Sequence, residues 1–141
     1  NRCLILKRSE REKVHPGRYG VIGGKLEWGD LDIAKPSRVN GEVLDYENAI
    51  ENLLKREALE EAGIKIGNKL IYINSIAFVR PDEVPVVLVK FAALYAGGEI
   101  KLEERGFSDY AWVNEEEVKQ YNCIDGIAEE ILETISKFKF V

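Results

Sequence analysis

The residues from Tyr46 to Ala62 hold no glycine or proline, are rich in Ala, Leu, Glu and Lys, and stop at Gly63. A run of this composition favours an α-helix, with the glycine as its C-terminal stop. Asp45 is the expected N-cap, and Glu47 sits in the first turn, where the helix dipole favours negative charge. Ile50 and Leu53 open an apolar stripe, but its next members are Glu57, Glu60 and Glu61. Ala49, Leu54, Ala58 and Ala62 form a neighbouring apolar strip, so the same helix end must also pack. Three carboxylates one turn apart on one side repel by about a few tenths of a kcal/mol per pair when exposed. They repel more strongly in a half-buried cleft, and the C-terminal end of the dipole opposes them as well. A hard divalent cation removes that penalty, since Mg²⁺ takes carboxylate oxygens together with water and substrate phosphates. Taken alone, a solvated Glu-rich helix end explains the cluster equally well.

The remaining pattern is mixed. Arg2–Lys7 reads as a short buried strand, Ser9–Gly17 as a charged turn region, and Tyr19–Ile22 as a second apolar run stopped by Gly23-Gly24. Residues 28–44 lack periodicity and contain Pro36, Ser37, Asn40 and Gly41, so they read as a loop or insertion. Leu70–Val79 and Val84–Tyr95 are β-rich runs around Arg80-Pro81-Asp82-Glu83, which predicts a hairpin or neighbouring strands. Glu99–Leu102 and Tyr110–Val113 are strand-like, and Asn114 is a plausible cap for a short helix through Gln120. Asp125–Phe138 predicts a final amphipathic helix with Ile127, Ile131, Leu132 and Ile135 on one face. This order predicts a single α/β (α+β) layered domain over residues 1–141.

Composition removes several function classes. The net charge of -5 lacks the basic surplus of a nucleic-acid backbone binder, so nucleic acid is a disfavoured partner. No apolar run approaches the length of a spanning helix and no secretory pattern opens the chain, so no membrane partner is expected. Cys3 and Cys123, with no CxxC spacing, make neither a disulfide framework nor a zinc site, and a reducing cytoplasm is the expected compartment. The one histidine, His15, reads as a loop residue. The chain has no Met and begins at Asn1, so its natural start is expected to lie upstream.

The carboxylate helix gains a partner in Gly23-Gly24-Lys25-Leu26-Glu27-Trp28-Gly29-Asp30. A glycine pair after a strand allows close backbone approach, offering a carbonyl to a metal or amides to a phosphate. Together the two segments resemble the Nudix box, Gly-x5-Glu-x7-Arg-Glu-apolar-x-Glu-Glu-x-Gly-apolar. Arg56-Glu57-Ala58-Leu59-Glu60-Glu61-Ala62-Gly63-Ile64 meets its second half, with Ala58 as the apolar member. Gly24 and Asp30 meet the first half, with Asp in place of Glu. Gly17–Gly23 is similar to the family's Gly-Lys-Trp-x-x-Pro-Gly lead-in, with Tyr19 for Trp and Ile22 for Pro. The departure is spacing: 25 residues separate Asp30 from Arg56, where the pattern has seven, an insertion of 18. A competing register through Gly41 and Glu47 matches fewer positions.

The resemblance implies a Nudix-type α/β/α sandwich with a mixed β-sheet, and a hydrolase that cleaves a nucleoside diphosphate linked to another group. It implies Mg²⁺, or Mn²⁺, as cofactor on Glu57, Glu60, Glu61 and the Gly24 carbonyl. Arg56 would hold a helix carboxylate in place, and Asp30 would take the structural role of the box's first Glu. One of the three glutamates, or Glu104 on the loop before Tyr110–Val113, would activate the water. Arg8, Tyr19, Gly23 and Lys25 are the expected substrate contacts; Phe78 and Tyr110 are weaker candidates for stacking on a base. The implied partner is a small nucleotide, with a homodimer left open.

Small size favours a nucleoside triphosphate. ADP-ribose or another nucleotide sugar is the alternative, with Pro81 near the position typical of such enzymes. A silent Nudix-like binding module is disfavoured by retention of all three glutamates, and an isoprenoid diphosphate isomerase by the single histidine. The insertion at 31–44 reads as a lid, a substrate-selecting loop or a dimer contact, with Lys35 and Arg38 as cations that could reach phosphates.

Overall fold

The computed structural model describes residues 1–139; Phe140 and Val141, the last two of the expected domain, lie outside the described residues. The central element is β1 (Cys3–Arg8), flanked by β2 (Tyr19–Gly20) and β9 (Phe107–Val113) in the order β2-β1-β9. Both pairings are antiparallel, with Leu4 opposite Trp112 and Leu6 opposite both Tyr110 and Gly20.

Alternation along β1 builds two cores. Ile5 packs with Val113, Val118, Ile127, Ile131 and Ile135, placing α2 (Ile127–Phe138) against one face. Leu6 packs with Ala58, Ala62, Ile64 and Phe107, placing α1 (Ala49–Ala62) against the other. Adjacent residues on a strand point to opposite faces, so two neighbouring apolar side chains suffice to seat a helix on each side. The result is a helix–sheet–helix sandwich of α+β class. Its ladders are antiparallel; parallel pairing is confined, among the described residues, to a single bridge between Tyr19 and Cys123. Cys3 and Cys123 are free, and no described helix is long and apolar enough to cross a membrane.

Three expectations change. The first helix begins at Ala49, not Tyr46, with Asn48 as its cap in the left-handed region. Asp45 instead binds Arg38, at the open end of a hairpin formed by β3 (Arg38–Asn40) and β4 (Val43–Asp45). That hairpin occupies the segment read as an irregular loop. Its two-residue turn, Gly41-Glu42, has positive φ at Gly41 (62°) but not at Glu42, which fits a type II′ turn led by glycine. Glu99–Leu102 is not a strand. The Lys101 and Glu103 amides donate to the Ala62 and Glu61 carbonyls, 2.9 and 3.0 Å, so the segment satisfies acceptors that the helix end leaves open.

The remaining elements follow the sequence pattern. β6 (Ile71–Val79) and β7 (Pro85–Ala92) form a hairpin, while β5 (Lys65–Ile66) pairs with β8 (Tyr95–Gly97). Asn114 stands two residues before the helix cap, which is Glu116; its Oδ1 accepts from the Glu116 and Glu117 amides at 2.9 Å and leads the chain into a short 3₁₀ turn, Glu117–Gln120.

Candidate active site

The carboxylate end of α1 sits where it does because its packing face is alanine. Ala58 and Ala62 are fully buried against the sheet, and residues this small bring the helix axis close to β1. Gly63 then ends the helix at φ 71°, and its amide and that of Ile64 return to the Leu59 and Ala58 carbonyls at 2.9 and 3.3 Å. A side chain at Gly63 would meet the Glu99 carbonyl at 3.0 Å, so the helix end and the loop after Gly98 touch backbone to backbone. This contact carries the 99–106 loop past the glutamates.

The glycine turn closes on the same helix end. The Gly23 amide donates to Glu61 Oε2 at 3.2 Å. A Cβ at Gly24 would stand 2.5 Å from Cγ and Cδ of Glu57, so a side chain there would push the Glu57 carboxylate out of place. Arg56 donates to Asp30 Oδ1 through one guanidinium nitrogen and to Glu57 Oε1 through the other, the latter at 3.3 Å. Asp30 is fixed in turn by the Glu27 amide, which donates to Oδ2 at 2.8 Å. Arg56 and the Glu27 amide together hold the Asp30 carboxyl below its usual range. Gly24 and Asp30 are thus the turn residues that contact the helix, while Gly41 of the competing register lies in the β3–β4 turn.

The electrostatics single out Glu61. Burial is the main cause that pushes its carboxyl up to about 7, reinforced by Glu57 and Glu103 and opposed by the Gly23 amide and Arg8. Arg8 therefore stands within electrostatic reach of the cluster, held by the Val14 carbonyl at 2.8 Å and Glu12 at 3.3 Å. An open cleft of about 460 Å³ runs along the helix, lined by Lys25, Glu27, Gly29, Asp30, Arg56, Glu57 and Glu60.

Among the sequence candidates, the structure gathers Arg8, Gly23, Gly24, Lys25, Arg56, Glu57, Glu60 and Glu61 around this helix end. It does not gather Tyr19, whose ring stacks edge-on against Tyr121 with centroids 5.0 Å apart and whose hydroxyl donates to Asp109 at 3.3 Å. Lys7, its partner on β1, shares the face of Ile5, so Tyr19 belongs to the α2 side of the sheet. Glu104 is exposed and makes no hydrogen bond among the described residues; its neighbour Glu103 is the loop carboxylate that acts on Glu61. Arg38 is taken by Asp45. Glu27, whose amide fixes Asp30 and which lines the cleft, is a site residue that the sequence pattern does not single out.

The donor set suits a hard divalent ion: three carboxylates on one side of a helix, faced by a glycine backbone that approaches them. Among the described residues, no three His, Cys, Asp or Glu side chains stand gathered closely enough to hold an ion as they are placed. Glu57 takes Arg56 and Glu61 takes the Gly23 amide instead.

No family model matches the chain. The nucleoside triphosphatase NudI of Escherichia coli K12 is 27% identical over 128 residues, covering 84% of this chain and 77% of that protein. Among solved structures, a MutT NUDIX hydrolase from Burkholderia pseudomallei superposes with a TM-score of 0.65 at 18% identity, covering 94% of this chain and 87% of the other. The NUDIX domain of Shewanella oneidensis NrtR, crystallised with ADP ribose, superposes with a TM-score of 0.66 at 16% identity, covering 97% and 77%.

Proposed function

Because the chain is a MutT-like member of the Nudix family, we propose that it hydrolyses the pyrophosphate linkage of a nucleoside triphosphate or a related nucleoside diphosphate derivative. The observation that supports this reading best is the closure of Gly23-Gly24 onto the three-glutamate end of α1. In the reaction a water oxygen attacks phosphorus, the anhydride P–O bond breaks, and a phosphate oxygen leaves with the electron pair. Glu57, Glu60, Glu61 and the Gly24 carbonyl would hold Mg²⁺ or Mn²⁺, which neutralises phosphate charge and acidifies bound water.

The chain's own groups do the rest. Lys25 lines the cleft and meets phosphate oxygens there, and Arg8 adds positive charge beside Glu61. Arg56 is a positioning residue: its fork holds Glu57 and ties it to the glycine turn through Asp30. The water's proton passes to a carboxylate of the 103–104 loop or to one of the three helix glutamates. Glu103, which already acts on Glu61, is the better placed of the loop pair.

The NudI likeness favours a nucleoside triphosphate. A nucleotide sugar is the second reading, because the NrtR domain crystallised with ADP ribose matches the fold as well as the MutT protein does. Phosphate and pyrophosphate release measured over a panel of nucleoside triphosphates and ADP-ribose with Mg²⁺ separates the two. Turnover of one class, lowered about 10²–10³-fold by Glu60→Gln, is expected. Metal-independent turnover, or full activity in that variant, overturns the proposal. Deleting 31–44 tests the β3–β4 hairpin as a lid, for which KM rises more than kcat falls.

A further inference from the structure

A second cleft, of about 500 Å³, opens on the α1 side of the sheet and shares no residue with the carboxylate cleft. Trp112 and Tyr110 of β9 form two of its walls. They are the cross-strand partners of Leu4 and Leu6, so they stand on the face that carries α1. Tyr95 of β8 is the third wall, and Arg2 and Glu99 supply the charged groups.

The aromatic walls are fixed without being packed away. The Tyr95 hydroxyl donates to the Gly98 carbonyl. Gly98 in turn lies against the end of α1, where a Cβ on it would meet the Gly63 carbonyl at 2.7 Å. Tyr95 is thereby tied to the helix terminus through its own loop. Yet Tyr95 stays 51% and Tyr110 42% exposed. Rings held this way offer their faces to a ligand at little further loss of side-chain freedom.

Shape and charge narrow what fits. The Tyr95 and Trp112 rings meet edge to face, with centroids 5.4 Å apart and planes 69° from parallel. A flat base stacks on one face or enters between two parallel ones, whereas walls this steep form a corner that suits a compact, rounded group. Arg2 has its charge matched already: both terminal nitrogens donate to Glu117, and one also donates to the Trp112 carbonyl at 2.8 Å. Glu99 is exposed and joins no ion pair among the described residues. The unmatched charge at the cleft is therefore negative, and ring faces are negative as well, so both favour a cation. A hard metal ion would need several oxygens where the cleft offers one carboxylate. A quaternary ammonium has no N–H to satisfy, and it suits ring faces with a single counter-charge.

We propose that this cleft binds a small soluble molecule bearing a quaternary ammonium group, seated in the Tyr95–Trp112 corner with Glu99 as its counter-charge.

Choline is the probe, followed by nuclear magnetic resonance on the metal-free protein. The chain has two tryptophans, Trp112 in this cleft and Trp28 beside Gly29 of the other, so their indole N–H signals report the two clefts separately. Trp28→Phe assigns them. Choline should move the Trp112 signal with a dissociation constant of about 1 mM or tighter and leave Trp28 unmoved. Neohexyl alcohol (choline with carbon in place of nitrogen) should bind at least about 10-fold more weakly. Glu99→Gln and Tyr95→Leu should each weaken choline at least about 5-fold. If Tyr95→Leu loses its circular dichroism, Glu99→Gln decides alone. Phosphatidylcholine vesicles, which carry the same group on a membrane, should not sediment the chain. Equal binding of the neutral alcohol, tighter binding of adenosine at Trp112, a response at Trp28 instead, unchanged affinity in folded Glu99→Gln, or sedimentation with vesicles overturns the assignment. None of these readouts uses hydrolysis, so the result stands apart from the catalytic reading.

Discussion

Replacing Glu61 by Gln should stabilise the metal-free protein above neutral pH. The Glu61 carboxyl rises from 4.5 to about 7 on folding, chiefly through burial. The folded state therefore binds more protons than the unfolded chain between these values. This site's stability contribution is fully present below pH 4.5 and is lost as pH rises through 7. The shift bounds the loss at about 3 kcal/mol. Solvent reaches part of the side chain, and screening reduces the figure to about 1–2 kcal/mol. Gln keeps an oxygen to accept from the Gly23 amide but carries no charge to desolvate or to face Glu57 and Glu103. In EDTA at pH 8, Glu61→Gln should raise Tm by about 4–8 °C, the change that 1–2 kcal/mol produces in a domain of this size. At pH 3.5, below both values, the variant and wild type should melt together, because the carboxyl is then protonated in the folded and the unfolded chain alike. A lower Tm for the variant at pH 8, or an increment equal at the two pH values, would falsify the assignment of Glu61 as a half-buried, crowded carboxylate.

Three other perturbations probe separate links. Gly24→Ala sets a methyl against Glu57 without backbone strain, so kcat should fall about 10²-fold through misplacement of that carboxylate while Tm changes little; steady-state kinetics beside a thermal melt would show it. Gly63→Ala puts a side chain at φ 71° and 3.0 Å from the Glu99 carbonyl, and should cost about 1–3 kcal/mol in urea unfolding. Lys90→Met leaves Glu130 half-buried and unpaired, so stability should drop by about 3 kcal/mol, whereas Lys90→Met with Glu130→Leu should recover most of it; a double variant no better than the single would show that the pair is not what holds the hairpin base to α2.

Some of the site was legible in the sequence because it is local. Arg56, Glu57, Glu60 and Glu61 share one helix, so helical spacing alone puts the glutamates on one side and Gly63 at the end. The apolar faces of α2 and the β6–β7 hairpin follow from periodicity in the same way. The helix starts later than its composition suggests because Asp45 has two outlets for its carboxylate, and the partner it takes, Arg38, lies across a hairpin turn. The β3–β4 hairpin is signalled locally only by Gly41 at the head of its turn, because strands of three residues are too short for alternation to tell them from a loop.

What the amino-acid order determined by itself is the set of groups: three glutamates at a helix end, a glycine pair, an arginine beside them, and the family these resemble. The tertiary structure decided which groups meet. Leu6 draws Ala58 and Ala62 onto the sheet, and open carbonyls at the helix end draw in the following loop, so that Glu103 rather than Glu104 acts on Glu61. Alternation on β1 sends Tyr19 to the opposite face. Such outcomes depend on which backbone groups are left unsatisfied and which face is buried, and no stretch of sequence states either until the layers have packed.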